Sequence, residues 1–491
     1  MSETSNTKQA AWLAIGSLAS FGFSIVSSMI LSRYFVKSDY GTYKQVMYVY
    51  NTLLIIFLLG LPRAYSFFLP RVPLSQAKHL INKINRLFWG LGALFSIALF
   101  VFAQYIANVL NNPDLSDAIR IFSPVPFLML PTQGLEGVLA TYRKSGFMAI
   151  YTVITRLLML LCVGLPVMIW NCGYKEALLG FVIASMVTFA LAMYLMYYPI
   201  KCVTHEKSDI KYKSILKFAL PLFFASIFGV IIQSSDQFFI SRWFGSEVFA
   251  DFSNGAMEIP FVGMIVSATT TVLSPIFSRM SFKKVDPRTE IYPLWKSVFE
   301  KSALLIYPLV VYCIFFAKTI MVSLYGPTYD SSAIYFQIKN ITYFFSIIAF
   351  APLLINTGRV KIYTNVQVWG AVILIVLEYL CVVFVKNPVG IIIISVSCAI
   401  GRILFMLSVI AKFFRVRFKD LFPIETMAKI IVSSVVILLA ISHVLSFFTL
   451  NSWLVLFISS FVFAILFWLV SLVLNVDYIK IVKPFIHKEK A

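Results

Sequence analysis

Stretches of about 20 apolar residues recur from one end of the chain to the other, each long enough to cross a hydrocarbon core of about 30 Å. No other feature constrains the fold as strongly. In lipid the backbone is satisfied only by helices or closed barrels. These runs are continuous and lack the two-residue alternation of a barrel strand, so the chain is an all-α membrane protein. Spans are predicted near residues 11–32, 43–66, 85–107, 118–140, 147–170, 176–198, 216–241, 252–277, 302–324, 333–357, 363–385, 389–411, 427–448 and 453–474, about fourteen helices in all. Composition agrees: 60% of residues are hydrophobic and 13% charged, against about 25% charged in a soluble domain. Met1–Ala10 holds one lysine and no cleavage site, so the first span is expected to be retained.

The net charge of +20 would suggest a polyanionic partner in a soluble chain. Its distribution instead gives a topology. With the N-terminus in the cytoplasm, 29 lysines and arginines fall in cytoplasmic segments, 7 fall outside and 5 lie within spans. The positive-inside rule then places both termini in the cytoplasm of a multi-pass inner-membrane protein, with no nucleic-acid partner. Anionic lipid on the cytoplasmic leaflet gives the same residues a second role. The longest loops, near Pro199–Ile215 and Phe277–Lys301, are basic, and outer segments such as Asn108–Asp117, Phe244–Asp251 and Tyr325–Ser332 are short. None is large enough for a catalytic domain, so an enzyme is not expected. The six cysteines and four histidines are scattered, and no resident cofactor, disulfide framework or metal motif is predicted.

A direct repeat runs through the chain. Leu31-Ser32-Arg33-Tyr34-Phe35 matches Ile240-Ser241-Arg242-Trp243-Phe244 at an offset of 209 residues. Without a gap the match continues through Tyr40/Phe249, Gly41/Ala250 and Tyr43/Phe252, and backwards through Ser24, Ser27 and Ser28 against Gln233, Asp236 and Gln237. Six spans separate the copies, so both cross in the same direction, as in transporters built from parallel repeats. The expected organisation is an N-terminal lobe over 1–200, a C-terminal lobe over 201–415, and two added helices with a tail over 416–491.

The segment Ser32-Arg33-Tyr34-Phe35 leading to Tyr40-Gly41-Thr42-Tyr43 resembles the first-helix signature of bacterial polysaccharide and oligosaccharide flippases. Their superfamily also holds multidrug exporters and the lipid II flippase. Gly60-Leu61-Pro62 leading to Phe68-Leu69-Pro70-Arg71, Lys217-Phe218-Ala219-Leu220-Pro221, and Leu324-Tyr325-Gly326-Pro327-Thr328-Tyr329 extend the resemblance over nearly the whole chain. The chain departs from the pattern at Ala250, where the family more often has glycine. It also lacks a basic residue deep in the eighth span, where similar lipid II flippases have one, which argues against lipid II as substrate.

Charge inside a span is costly and usually faces a cavity or a partner. The first lobe holds Arg63, Arg120, Arg156 and Glu136; the second holds Lys339, Arg402, Asp236, Glu258 and Glu378. A basic first lobe suits a diphosphate, because guanidinium groups donate paired hydrogen bonds to phosphate oxygens. Arg156 is the deepest of its lobe. Snorkelling competes at Arg63, Glu136 and Arg120, which lie closer to span ends. Arg33, in the repeated motif, lies about 140° around its helix from Ser28 and reads either as a cavity residue or as an interfacial anchor.

Asp236 and Glu378 lie five and seven residues before the outer ends of spans seven and eleven, so their depths differ by about 3 Å. The resemblance implies a bound monovalent cation, sodium or a proton, held by these carboxylates with Ser395 or Ser397 nearby. Glu258 is a further candidate beside Asp236. An ion pair between Glu378 and Arg402 is the competing reading.

By resemblance, the expected activity is translocation of a polyprenyl-diphosphate-linked oligosaccharide by alternating access, for O-antigen, capsule or another surface polysaccharide. Glycan polymerases and glycosyltransferases would be its functional partners, and the chain would act as a monomer. Spans 13 and 14 either line a groove for the polyprenyl tail or pack against the second lobe. A cation-coupled multidrug exporter and a membrane-embedded polymerase or glycosyltransferase are the alternatives.

Overall fold

A computed structural model describes residues 6–201, 206–283, 285–347 and 350–474. Cys202, Lys284, Lys480, Lys483, Lys488 and Lys490, used above, lie outside the described residues. The described chain is helical throughout and divides into two compact units, Met1–Ala250 and Asp251–Ala491.

The first unit contains α1 (Asn6–Tyr34), α2 (Lys37–Leu58), α3 (Pro62–Phe68), α4 (Leu74–Val109), α5 (Leu115–Phe122), α6 (Val125–Met129), α7 (Leu135–Thr141), α8 (Ser145–Met159), α9 (Leu165–Trp170), α10 (Tyr174–Tyr197) and most of α11 (Tyr212–Gly255). The second contains α12 (Pro260–Phe282), α13 (Tyr292–Phe315), α14 (Ala317–Tyr325), α15 (Ser332–Ile341), α16 (Phe350–Asn356), α17 (Val360–Leu380), α18 (Pro388–Phe414), α19 (Ile424–Leu445) and α20 (Ser452–Val473).

Eleven helices are long and apolar enough to cross a membrane, or twelve with the bent α11 as one span. The other two expected spans, over 118–140 and 333–357, are present as shorter helices. In the first, Pro124, Pro126 and Pro131 interrupt the backbone ladder, dividing it into α5, α6, a 3₁₀ turn at Pro131–Gly134 and α7. In the second, a 3₁₀ turn at Thr342–Phe344 lies between α15 and α16. Proline also marks the 41° bend of α11, whose Pro221 lies one turn before it.

The expected outer loop Phe244–Asp251 is not a loop. Helix resumes at once after Gly245, whose φ of 81° is open to glycine. Gly245 stands 209 residues after Val36, the extended residue between α1 and α2. The sequence repeat is therefore a structural repeat of helix, one-residue break and helix. The eighth span accordingly starts near Ser246 rather than 252 and passes a second break before Pro260.

Within the first unit the two copies touch. Gln45 Nε2 donates to Ser241 Oγ at 2.7 Å, and Asn112 Nδ2 donates to Gln45 Oε1 at 2.6 Å and to Thr42 Oγ1 at 2.9 Å. All four residues are buried, so this network satisfies polar groups that would otherwise be stranded. Tyr48 and Phe249 meet ring to ring at 5.8 Å. Gly60, with a φ of 71°, brings the Gly60-Leu61-Pro62 turn against the backbone of Ala219, and Pro62 then starts α3.

Aromatic packing fills both units: Phe57, Phe95 and Tyr50 stack in the first, and Trp295, Phe299 and Phe414 cluster in the second. Large apolar side chains such as Phe100, Phe102, Trp369 and Phe457 point outward, where lipid surrounds the protein. The charge-poor α19 and α20 pack on α13 and α14, and Tyr312 of α13 donates to the Leu456 carbonyl of α20.

Candidate functional site

Arg156 occupies the middle of its span. It is eleven residues from Ser145 and fourteen from Trp170, along α8, a π-helical turn at Leu160–Gly164 and α9. At about 1.5 Å per residue neither end is closer than about 16 Å, too far for the side chain to snorkel. The residue lines a cavity of 530 Å³ in the first unit, whose walls come from α2, the broken segment 125–141, α8 and α10. Nε of Arg156 donates to Ser20 Oγ of α1 at 2.9 Å. This bond orients the guanidinium, and no described residue takes its two terminal nitrogens.

Glu136, in the first turn of α7, lines the same cavity. Asn51, Gln133, Thr152 and Thr155 add amide and hydroxyl groups. These residues were not anticipated, although Met148, Thr152, Thr155 and Met159 form a stripe at helical spacing that points to the cavity face. The lining therefore combines one guanidinium, one carboxylate and several neutral hydrogen-bonding groups, which suits a polyhydroxylated anionic ligand.

The other basic residues of the first lobe are elsewhere. Arg63 is exposed on α3. Arg120 is exposed on α5, 4.0 Å from Asp117, which also pairs with Lys175 at 3.2 Å. Arg33 is exposed in the last turn of α1. None of the three lines the cavity, so the expected net positive lining reduces to the Arg156 and Glu136 pair. Arg242, the repeat partner of Arg33, donates to the carbonyls of Asn108 and Val109 at the end of α4, closing that helix terminus.

Asp236 is buried on α11 and accepts from its neighbouring Gln237 N–H at 2.8 Å. Because α11 continues past Ser241, the depth reckoned from an end there loses its reference. In the second unit, Glu378 is fully buried on α17 and Ser395 is buried on α18, whereas Ser397 and Glu258 are exposed and Lys339 is half-buried at the end of α15.

The ion pair considered between Glu378 and Arg402 is not formed. The arm of Arg402 crosses α17 at Gly370, eight residues and about 12 Å from Glu378. Among the described residues no cluster of three or more histidine, cysteine, aspartate or glutamate side chains is arranged to hold a metal ion.

The chain is similar over its full length to a solved lipid II flippase, MurJ, in an inward closed conformation. Identity is 16%, the match covers 96% of this chain and 99% of the other, and the TM-score is 0.72. A Vibrio cholerae multidrug transporter of the MATE group, VcmN, matches with 14% identity, 83% and 96% coverage and a TM-score of 0.58. At these identities the likeness is one of fold. Among curated proteins, the lipopolysaccharide biosynthesis protein WzxC of Escherichia coli (strain K12) is 27% identical over 125 residues. That match spans about a quarter of each chain, 25% of this one and 24% of the relative. The family model described as "Polysaccharide biosynthesis protein" matches residues 30–334, more than half of the 491. The chain thus belongs to the polysaccharide biosynthesis protein family, on a fold shared with the lipid II flippase and the multidrug exporters.

Proposed function

We propose that the protein is a flippase of the bacterial inner membrane that moves a polyprenyl-diphosphate-linked oligosaccharide from the cytoplasmic to the outer leaflet. The observation that carries this reading is Arg156, held at mid-span by Ser20 in a cavity otherwise lined by amide, hydroxyl and apolar groups. A diphosphate crossing the membrane must exchange its hydration for fixed donors, and a guanidinium with two free terminal nitrogens supplies them. The neutral groups offer partners to sugar hydroxyls. Alternating access then requires the ligand to bind the inward-open and outward-open states differently.

The direct test is flipping by the purified chain in proteoliposomes, using a fluorescent lipid-linked oligosaccharide and an impermeant quencher. Protein-dependent loss of quenchable signal is expected. Uptake of a cationic dye without lipid flipping would favour the multidrug alternative. The basic asymmetry of the sequence adds a topology expectation. Reporter fusions after Gly173, Gly326 and Asn451 should read as outside, and fusions after Ser145, Glu206 and Asp420 as inside. An inside reading at Gly326 would overturn the orientation.

Coupling to a monovalent cation is assigned in this proposal to Asp236 and Glu378, each a buried carboxylate within an apolar span. A buried carboxylate favours a counter-charge, which a sodium ion or proton can provide. Asp236→Asn and Glu378→Gln should each weaken the dependence of flipping on the ion gradient by about tenfold or more, with normal protein abundance. Unchanged gradient dependence in both variants would remove the coupling role.

A further inference from the structure

A second cavity, of 670 Å³, lies in the other unit and is lined by α17 and α18 alone. Its walls are mainly apolar: Ile362, Trp369 and Ile373 from α17, Phe405 and Val409 from α18. One cation, Arg402, opens onto it. Arg402 is fourteen residues from Pro388 and twelve from Phe414, so it sits about 18 Å or more from either end of α18, beyond snorkelling range. Its Nη1 is buried and has no hydrogen-bond partner among the described residues.

The placement is built into the backbone. Gly370 provides the space through which the arginine stem passes; a Cβ there would overlap Arg402 Cδ. The fold thus directs a guanidinium into an apolar cleft at mid-membrane and leaves part of its donor capacity open. A buried, unsatisfied cationic donor is costly unless an anion meets it.

The occupant has to satisfy both features. Free phosphate would match the charge and leave the apolar walls wet. The phosphate of a resident phospholipid lies at the membrane interface, about 15 Å from the midplane. From the cleft we infer that α17 and α18 form a binding site for the phosphate end of a polyprenyl-type lipid, with the phosphate on Arg402 and the first isoprene units against Trp369, Ile373 and Phe405. The inference rests on the flippase reading for the lipid's presence at this depth. It adds a lipid site distinct from the Arg156 cavity.

The test uses the full chain in lipid nanodiscs with a polyprenyl phosphate carrying a diazirine beside its phosphate. After irradiation, labelled peptides should map to residues 360–380 and 388–414. Arg402→Gln should reduce this labelling about tenfold or more, the loss of one charge-assisted contact. Gly370→Ala, which keeps the arginine but displaces its arm, should also reduce it, and Arg402→Lys should retain an intermediate level. Lys429→Gln, which removes an exposed charge paired with Glu425, should leave labelling unchanged. Unlabelled polyprenyl diphosphate should compete, and excess phosphatidylglycerol should not.

Unchanged labelling in Arg402→Gln, labelling spread evenly over lipid-facing helices, or equal competition by phosphatidylglycerol would overturn the assignment. Proteoliposomes that fail to flip while this labelling persists would count against the transport reading alone and leave the lipid site standing.

Discussion

Arg156→Ala is expected to abolish export of the surface glycan while the protein remains inserted and folded. The side chain lies at the middle of its span and lines the polar cavity, so substrate cannot replace it with a group from an interface. Two charge-assisted hydrogen bonds to phosphate, each worth about 1.5–3 kcal/mol, would be lost together. At about 1.4 kcal/mol per tenfold, transport should fall by roughly a hundredfold or more. Arg156→Lys keeps the charge but not the planar fork, so it should recover only part of the activity. Ser20→Ala should have a milder effect, because it loosens the orientation of the guanidinium without removing it. Surface polysaccharide can be read by immunoblot and protein abundance by membrane fractionation. Normal polysaccharide in the alanine variant would leave Arg156 with a purely structural role.

Gly41→Val is expected to prevent accumulation of folded protein. A Cβ at Gly41 would overlap the carbonyl of Ser246, a backbone atom that cannot rotate away. The substitution would separate α2 from α11 and disturb the adjoining Gln45–Ser241 hydrogen bond. Overpacking typically costs about 1–3 kcal/mol, and the loss of a buried hydrogen bond adds about another 1–3 kcal/mol where a partner is stranded. Gly41→Ala should show the same direction with a smaller drop in melting temperature. Gly22→Ala is the matched control: no atom lies within 4 Å of its added methyl, so stability should hold or rise slightly. Equal thermal stability of the Gly41 and Gly22 variants would show that α2 and α11 can separate at little cost.

The all-α membrane class, most span positions and the repeat could be read from the sequence. Apolar length and the lipid environment leave the backbone one local solution, so these properties need no tertiary information. The repeat also located a structural feature in advance, since Val36 and Gly245 share the offset that Arg33 and Arg242 defined. The break at Gly245 itself was taken for a loop. Hydropathy averages over many residues, while a positive φ at one glycine is a local event between two helices.

The candidate site was only partly visible. Arg156 stood out because charge at mid-span is rare and its depth follows from counting residues. Arg63, Arg120 and Arg33 carry the same charge, but which face of a helix meets a cavity depends on how its neighbours pack. The expected partnership of Glu378 and Arg402 failed for the same reason, because the arginine arm leaves α18 toward Gly370. Asn51, Gln133, Thr152 and Thr155 became a lining only when α2, α8 and the proline-broken segment closed around one space. The sequence by itself determined that the chain crosses the membrane many times and which charges are costly there. Only the tertiary structure decided which of those charges share a cavity, because that depends on helix rotation and contact between segments far apart in the chain.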